Sequence, residues 1–168
     1  AHKPPKRVRP LVAISGISDS TEVTDYLMPY GILRRADVAD VVALATDAGP
    51  VTLYPVLTVE ADATVAAFDA QHPEGADYVI VPAMTREDDP AVMAWLKSQA
   101  GKGATIIGVC VGAMVVAAAG LLDGKRATTH WYSVGALRRN HPQVLYVPDR
   151  PLVVDRAVAT ATGITASM

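Results

Sequence analysis

The chain has 168 residues, of which 51% are hydrophobic, 19% charged and 5% aromatic. This length and composition suit one globular domain and exclude intrinsic disorder for most of the chain. With 15 Lys and Arg against 17 Asp and Glu, the formal net charge is -2, which gives no excess of positive charge for binding nucleic acid or an anionic membrane. No stretch reaches the ~18 uninterrupted apolar residues of a membrane-spanning helix, so we expect no membrane contact by this chain.

The N-terminal end differs in composition from the rest. Residues 1–10 contain three prolines and four cations, which predicts a flexible basic tail in front of a single domain over residues 11–168. The first residue is Ala and not Met, which indicates that an upstream segment was removed. The cellular location is therefore open: a cytoplasmic location is preferred, and export or membrane tethering is the alternative.

Strands and helices alternate along the chain. In the first half, the patterns predict a strand over 8–15, a helix over 24–36, a strand over 41–45, a hairpin of strands over 51–54 and 56–59, and a helix over 63–70. In the second half, they predict a strand over 78–81, a helix over 90–100, a strand over 105–109, a helix over 112–122, a strand over 126–129, a helix over 133–141, and strands over 143–147, 152–154 and 157–160. This order predicts an α/β fold with a doubly wound, mostly parallel sheet and helices on both faces.

The single cysteine, Cys110, lies in a Gly-x-Cys-x-Gly segment over residues 108–112, between a buried strand and an Ala-rich helix. Flanking glycines allow a turn so tight that the central side chain projects over the sheet edge, as in a nucleophile elbow. The positive end of the helix dipole lowers the pKa of a thiol placed there, so we expect a reactive thiolate. The alternative is a small buried apolar side chain, which most free cysteines are.

Other polar side chains follow strands of the same predicted sheet. Ligands of doubly wound sheets bind beyond the carboxyl ends of the strands, where the sequence places Cys110, His130 and the stretch from Glu22 to Asp25. A thiol, an imidazole and a carboxylate are the groups that an activated nucleophile and its acid/base partner require. Each has a structural alternative, with His130 as a surface side chain and Asp25 as the N-cap of its helix.

The histidines do not indicate a metal site. His2, His72, His130 and His141 show no ligand spacing with one another or with Cys110. We therefore predict neither a metal nor a cofactor.

Four segments together resemble the ThiJ/PfpI family of the class I glutamine amidotransferase-like superfamily, over the chain from residue 8 to residue 168. They are the elbow at residues 108–112 and residues 118–124, 127–132 and 24–33. The resemblance implies a flavodoxin-like α/β sandwich. An aspartate at position 25 and Thr-Thr-His-Trp at 128–131 are more similar to the isonitrile hydratase and AraC-type regulator branch than to the chaperone-like deglycases, which carry glutamate.

The resemblance also implies roles for particular residues. Asp25 would hydrogen-bond the thiol of Cys110, with Glu22 as the alternative, and His130 would be a nearby acid or base. The expected oxyanion and binding positions are Val111, Ala83, Met84, Gly112, Glu22 and Trp131. Two departures stand out: Ala83 and Met84 replace two family glycines and would crowd the pocket, and Val111 supplies no hydroxyl beside the thiol.

Three functions follow as expectations. The first is a cysteine-dependent hydratase or hydrolase of a small electrophilic molecule, similar to isonitrile hydratase. The second is the ligand-sensing domain of an AraC-type transcriptional regulator, and the third is a redox sensor in which Cys110 is reversibly oxidised. The resemblance further implies a homodimer, a small-molecule substrate or ligand, and a last helix that begins at residues 163–168 and is cut short.

Overall fold

The computed structural model describes residues 4–163. Its strands are β1 (Leu11–Ile14), β2 (Thr21–Glu22), β3 (Asp40–Ala45), β4 (Pro50–Tyr54), β5 (Leu57–Glu60), β6 (Ala63–Thr64), β7 (Tyr78–Val81), β8 (Thr105–Val109), β9 (Arg126–Ala127), β10 (Leu145–Tyr146), β11 (Leu152–Asp155) and β12 (Val158–Ala161). Its helices are α1 (Val23–Ala36), α2 (Val65–Gln71), α3 (Pro90–Gly101), α4 (Gly112–Ala118) and α5 (Val134–Asn140), with a 3-10 turn at Trp131–Ser133 before α5.

Seven strands form the central sheet, in the order β11-β12-β8-β7-β1-β3-β6. All neighbours in it are parallel except β11, which pairs antiparallel with β12 at one edge. This confirms the predicted α/β fold with a mostly parallel sheet. The sheet places the ends of β1, β7, β8 and β12 along one carboxyl edge.

Successive side chains of β1 belong to two different apolar clusters, which lie on opposite faces of the sheet. Leu11 and Ala13 belong to the apolar cluster that contains residues of α2, α3 and α4. Val12 and Ile14 belong to the cluster that contains Tyr26 of α1. Because successive side chains of a strand point to opposite faces, these two memberships place helices on both faces of the sheet, as predicted.

A smaller sheet joins β2, β4 and β5. The predicted hairpin is present, since β4 and β5 pair antiparallel. Its unexpected partner is β2, which pairs parallel with β4 so that Glu22 lies opposite Tyr54. The hairpin therefore reaches the start of α1, next to the carboxyl edge of the central sheet.

The N-terminal segment differs from the predicted flexible tail at residues 6–9. The main-chain N–H of Lys6 and the guanidinium of Arg7 donate to the carboxylate of Asp77, at 2.6 and 2.7 Å. Arg9 forms ion pairs with Asp37 and Asp40. These cations face carboxylates of the folded domain, and this pairing attaches the segment in a way that composition alone does not reveal.

Some elements are shorter than predicted. α4 ends at Ala118 because the chain leaves the helix at Ala119 and reaches a positive φ of 75° at Gly120. The strands predicted over 126–129 and 143–147 shrink to the two-residue strands β9 and β10. Residues 164–168, on which the prediction of a shortened last helix depends, lie outside the described residues.

Candidate active site

Cys110 occupies a strained turn between β8 and α4. Its φ is 58°, in the left-handed region that non-glycine residues rarely adopt and that often marks a functional position. The main chain is fixed on both sides, since the Cys110 N–H donates to the Ala161 carbonyl at 3.0 Å and the Thr129 hydroxyl donates to the Cys110 carbonyl at 3.0 Å. This is the predicted cysteine elbow.

The two glycines of the elbow are explained by close approach of other main-chain atoms. A Cβ at Gly112 would lie 2.0 Å from the carbonyl oxygen of Val81, at the end of β7. A Cβ at Gly108 would lie 2.9 Å from the Cα of Ala113. Only glycine therefore allows α4 to start directly against the ends of β7 and β8.

Asp25 lies in the first turn of α1 and is almost completely buried, with 2% of its surface exposed. Its Oδ2 accepts a hydrogen bond from the Ala83 N–H at 3.0 Å. Burial raises the pKa of Asp25 to about 6; the Ala83 hydrogen bond opposes this shift and the nearby Glu22 carboxylate adds to it. A carboxyl group with this pKa exchanges its proton near neutral pH, as a general acid or base requires.

Glu22 is the N-cap of α1, whereas the sequence suggested Asp25 for this role as an alternative. Its Oε2 accepts from the Asp25 N–H at 2.8 Å and from the Thr24 hydroxyl at 2.6 Å. Asp25 as the N-cap is therefore wrong. With Glu22 capping the helix, the Asp25 side chain turns towards the end of β7.

The thiol is less acidic than predicted. Burial, with smaller contributions from the Asp25 and Glu22 carboxylates, raises the pKa of Cys110 to about 11, and a hydrogen bond from the Val111 N–H opposes this shift. The direction is opposite to the predicted lowering, because burial disfavours the charged thiolate and the nearby carboxylates add to that effect. The raised pKa of Cys110 keeps the proton on its sulfur at neutral pH.

Of the oxyanion positions expected at Ala83 and Val111, Ala83 is already engaged. The Ala83 N–H donates to Asp25 and its carbonyl accepts from the Glu22 N–H at 2.8 Å. Met84 is buried and forms an isolated antiparallel β-bridge with Thr21. The Ala83 amide therefore holds the carboxylate in place and is not presented to a substrate oxygen.

His130 and Trp131 lie at a neighbouring pocket of about 500 Å³. The His130 Nδ1 accepts from the Tyr132 N–H at 3.4 Å, and its ring lies 5.4 Å from that of Trp131, whose surface is 76% exposed. The rest of the lining comes from Thr128, Thr129, Tyr146, Asp149, Arg150, Pro151, Thr162 and Gly163. His130 therefore lines this pocket and makes its hydrogen bond to the turn that follows it.

Tyr54 and Glu87 were not predicted as neighbours of this region. Burial raises the pKa of Tyr54, and the charges of Glu22, Asp25, Cys110 and Glu87 add to this shift. Glu87 follows β7 and is half-buried, and this burial raises its pKa. The pairing of Tyr54 with Glu22 joins two short strands with no shared pattern, so the sequence carries little signal for it.

Within residues 4–163, no group of three or more His, Cys, Asp and Glu side chains is arranged to hold a metal ion. The helices of this part of the chain are also too short or too polar to cross a membrane.

Comparison with known sequences identifies relatives of two kinds. The HTH-type transcriptional regulator CdhR of Pseudomonas aeruginosa is 34% identical over 128 residues, which are 74% of this chain and 36% of that protein. An isonitrile hydratase of Pseudomonas putida is 39% identical over 82 residues, 48% of this chain and 34% of that protein. The chain spans about a third of the length of these relatives.

Solved structures share the fold. A DJ-1 superfamily protein from Salmonella typhimurium, crystallised as a mutant with alanine in place of a cysteine, has a TM-score of 0.78 at 26% identity, over 94% of this chain and 83% of that one. A ThiJ/PfpI family protein from Pseudomonas syringae has a TM-score of 0.79 at 24% identity, over 94% of this chain and 64% of that one. The DJ-1/PfpI family model matches residues 12–168. The predicted resemblance is confirmed, and the chain belongs to the DJ-1/PfpI family.

Proposed function

We propose that the chain is a cysteine-dependent hydratase that adds water to a small electrophile of the isonitrile class. One observation carries this proposal: a buried carboxyl group, Asp25, with a pKa of about 6, acts on the thiol of Cys110 at the elbow. A thiol with a raised pKa is almost fully protonated at neutral pH, so it needs a base to become a nucleophilic thiolate. The carboxylate of Asp25 is that base. The similarity to an isonitrile hydratase adds the substrate class.

The first step joins the thiol to the substrate. Asp25 accepts the thiol proton as the sulfur bonds to the isonitrile carbon, and it then delivers that proton to the same carbon. The product is a thioimidate, in which the former isonitrile carbon carries one hydrogen and is double-bonded to nitrogen. The buried position of Asp25 keeps this proton from exchanging freely with water.

The second step releases the product. Water adds across the C=N bond, with its oxygen on carbon and one proton on nitrogen. The C–S bond then breaks, the hydroxyl proton returns to sulfur through Asp25, and an N-substituted formamide leaves. No redox partner is needed, because the sum is one isonitrile and one water giving one formamide.

The test is formamide production from benzyl isocyanide in water enriched in oxygen-18. We expect one labelled oxygen in each N-benzylformamide, and we expect Cys110→Ala and Asp25→Asn to lose at least about a hundredfold in kcat, as removal of a nucleophile or its base does. Glu60→Gln, an exposed change on β5, is the control with unchanged activity. Product formation that survives Cys110→Ala would refute the proposal.

A ligand-sensing domain of a transcriptional regulator is the second candidate. The observation that favours it is the similarity to an HTH-type regulator over 74% of this chain, which makes up only 36% of that protein. Engagement of the Ala83 amide by Asp25 also suits a site that binds without turnover. Ligand-dependent stabilisation of the folded chain with no product formed would favour this candidate over the hydratase.

A redox-sensing role for Cys110 has weaker support. Oxidation by peroxide depends on thiolate character, and the raised thiol pKa opposes it. We expect hydrogen peroxide to oxidise Cys110 no faster than an ordinary free cysteine. Rapid formation of a sulfenic acid at neutral pH would restore this function.

We also infer a homodimer, in keeping with the family resemblance. α1 presents the apolar side chains of Met28 and Ile32, each 42% exposed, which a second copy would cover. Light scattering at micromolar concentration should give about twice the mass of the chain. A mass equal to one chain would contradict the inference.

A further inference from the structure

Tyr54 lies beside Glu22, the N-cap of α1, through the pairing of β2 with β4. In this parallel pair, Thr21 lies opposite Leu53 and Glu22 lies opposite Tyr54. Thr21 and Leu53 are both buried, with 0% and 1% of their surfaces exposed. Because side chains alternate along a strand, Glu22 and Tyr54 share the other face of the pair.

The side chain of Glu22 shows where that face points. Its carboxylate caps the first turn of α1, the turn that carries Asp25. Tyr54 is half-buried at the end of β4, although Thr52 on the same face is exposed. Tyr54 therefore lies beside the residue that caps the first turn of α1, on a face that is partly buried.

The electrostatics of Tyr54 agree with this placement. Burial raises the pKa of Tyr54 to about 12 together with smaller contributions from the charges of Glu22, Asp25, Cys110 and Glu87. The hydroxyl therefore keeps its proton at neutral pH. Tyr54 is a neutral O–H donor set among acidic groups, and those groups become poor donors once they ionise.

The site needs such a donor. Addition of sulfur to an electrophile places negative charge on the substrate, and enzymes stabilise this charge with positioned donors. The Ala83 N–H donates to Asp25. One of the two main-chain amides expected for this task is thus engaged elsewhere.

We propose that the Tyr54 hydroxyl is a catalytic group of the thiol site, which donates a hydrogen bond to the substrate atom that gains negative charge as the Cys110 sulfur adds. For turnover of an isonitrile, this inference rests on the proposed function: the charge develops on the isonitrile carbon, and the Tyr54 hydroxyl stabilises it until Asp25 delivers the proton to that carbon. The interaction itself concerns any electrophile that becomes anionic when sulfur adds to it. It is therefore open to a test that needs no natural substrate.

The test compares two alkylating probes of Cys110 in the wild-type chain and in Tyr54→Phe. Acrylamide gains charge on its carbonyl oxygen when sulfur bonds to its terminal carbon, and water then protonates the neighbouring carbon. Iodoacetamide forms the S–C bond as iodide leaves, so no oxygen becomes anionic. Because both probes use the same thiolate, the ratio of their rates at one pH cancels any change in the thiol pKa.

We expect Tyr54→Phe to lower the ratio of the acrylamide rate to the iodoacetamide rate at least about fivefold, because one donor to a developing oxyanion is lost. Tyr78→Phe is the matched control: Tyr78 begins β7, at the opposite edge of the sheet, and its ratio should stay at the wild-type value. Equal melting temperatures of the variants and the wild-type chain would establish that both are folded. An unchanged ratio in Tyr54→Phe would overturn the proposal.

Turnover of benzyl isocyanide gives a second readout. If the wild-type chain forms the formamide, Tyr54→Phe should lower kcat about tenfold and leave KM within about threefold, as loss of a transition-state contact does. An unchanged kcat would overturn the proposal. If the wild-type chain forms no formamide, the proposed function fails, and the ratio of alkylation rates still decides whether Tyr54 donates at this site.

Discussion

The thiol site and the His130 pocket lie side by side at one edge of the sheet, yet they are built in different ways. Cys110 and Asp25 are held by main-chain hydrogen bonds and by close contacts between strand ends. The His130 pocket is lined by loops, and its aromatic side chain, Trp131, is mostly exposed. The link between the two is the Thr129 hydroxyl, which donates to the Cys110 carbonyl.

This difference shows that the position of a residue at the sheet edge does not fix the direction of its side chain. Parallel strands bring polar residues to the same edge, but the local chain then directs each side chain. The cap at Glu22 turns Asp25 towards the end of β7, whereas the turn after His130 directs its Nδ1 to the Tyr132 N–H. We therefore expect the thiol site to be rigid and sensitive to substitution, and the His130 pocket to be tolerant.

Replacing Gly112 by alanine should have the largest effect. The new Cβ would lie 2.0 Å from the Val81 carbonyl oxygen, so α4 and β7 would have to separate. We expect a loss of at least about 3 kcal/mol in the free energy of unfolding, or no soluble protein, since overpacking against main-chain atoms has little room to relax. Urea unfolding and soluble yield measure the effect.

Gly31→Ala is the matched control for that change. Gly31 lies within α1, and its Cβ would have no neighbour within 4 Å. Alanine is the better helix former, so this variant should gain about 0.5–1 kcal/mol. If Gly112→Ala were as stable as the wild-type chain, the backbone would not hold the thiol site as described.

The second effect is on stability as a function of pH. The pKa of Asp25 is about 6 in the folded chain against an ordinary value of 3.8, so its protonated form favours folding. This contribution is complete below pH 3.8 and is lost as the pH rises through 6. Relative to Asp25→Asn, the wild-type chain should lose about 3 kcal/mol of unfolding free energy between pH 3.5 and 7.5.

Urea unfolding of both proteins across this range is the measurement. The comparison with Asp25→Asn removes the contributions of the other titrating groups, which the two proteins share. A constant difference between wild type and variant would mean that Asp25 has an ordinary pKa and is not a proton-exchanging group at neutral pH.

A smaller effect concerns the thiol itself. Burial and two carboxylates raise the pKa of Cys110 to about 11, so iodoacetamide labelling should have a midpoint well above the ordinary value of about 8.5. Asp25→Asn removes one of these charges, and we expect it to lower the midpoint by about one unit. A wild-type midpoint near 7 would contradict this description and restore the thiolate predicted from the sequence.

The smallest effect is expected at the other pocket. His130→Ala should leave the midpoint of Cys110 labelling within about 0.3 unit of the wild-type value, because the strongest charges near the thiol are carboxylates. Labelling with iodoacetamide against pH gives the value directly. A shift as large as that of Asp25→Asn would join His130 to the thiol site and remove the contrast between the two regions.

The sequence predicts elements best where burial is continuous. β7 and β8 have the predicted bounds, because each is an apolar run between turn residues. α3 begins where Asp89 and Pro90 indicate, with Asp89 accepting from the Ala91 and Val92 N–H groups. The two-residue strands β2, β6, β9 and β10 carry no periodicity, since their pairing depends on what the rest of the fold brings beside them.

In the site as well, local features were predictable from the sequence and long-range contacts were not. The elbow at Cys110 was predictable because glycine spacing records a local backbone requirement. The partner of the Ala83 amide, the cap at Glu22 and the position of Tyr54 depend on contacts between segments far apart in sequence. Nor could composition show that burial of the thiol, with carboxylates from α1 and β2 nearby, would raise its pKa.

The attachment of Lys6 and Arg7 to Asp77 has a practical consequence for handling the protein. Asp77 comes directly before β7, at the amino edge of the sheet, whereas Cys110 follows β8 at the carboxyl edge. The length of one strand, about 15 Å, separates these edges. A tag, surface linker or fluorescent fusion placed ahead of Lys6 would therefore leave from the side opposite the thiol, so that an immobilised sample presents Cys110 to the solution.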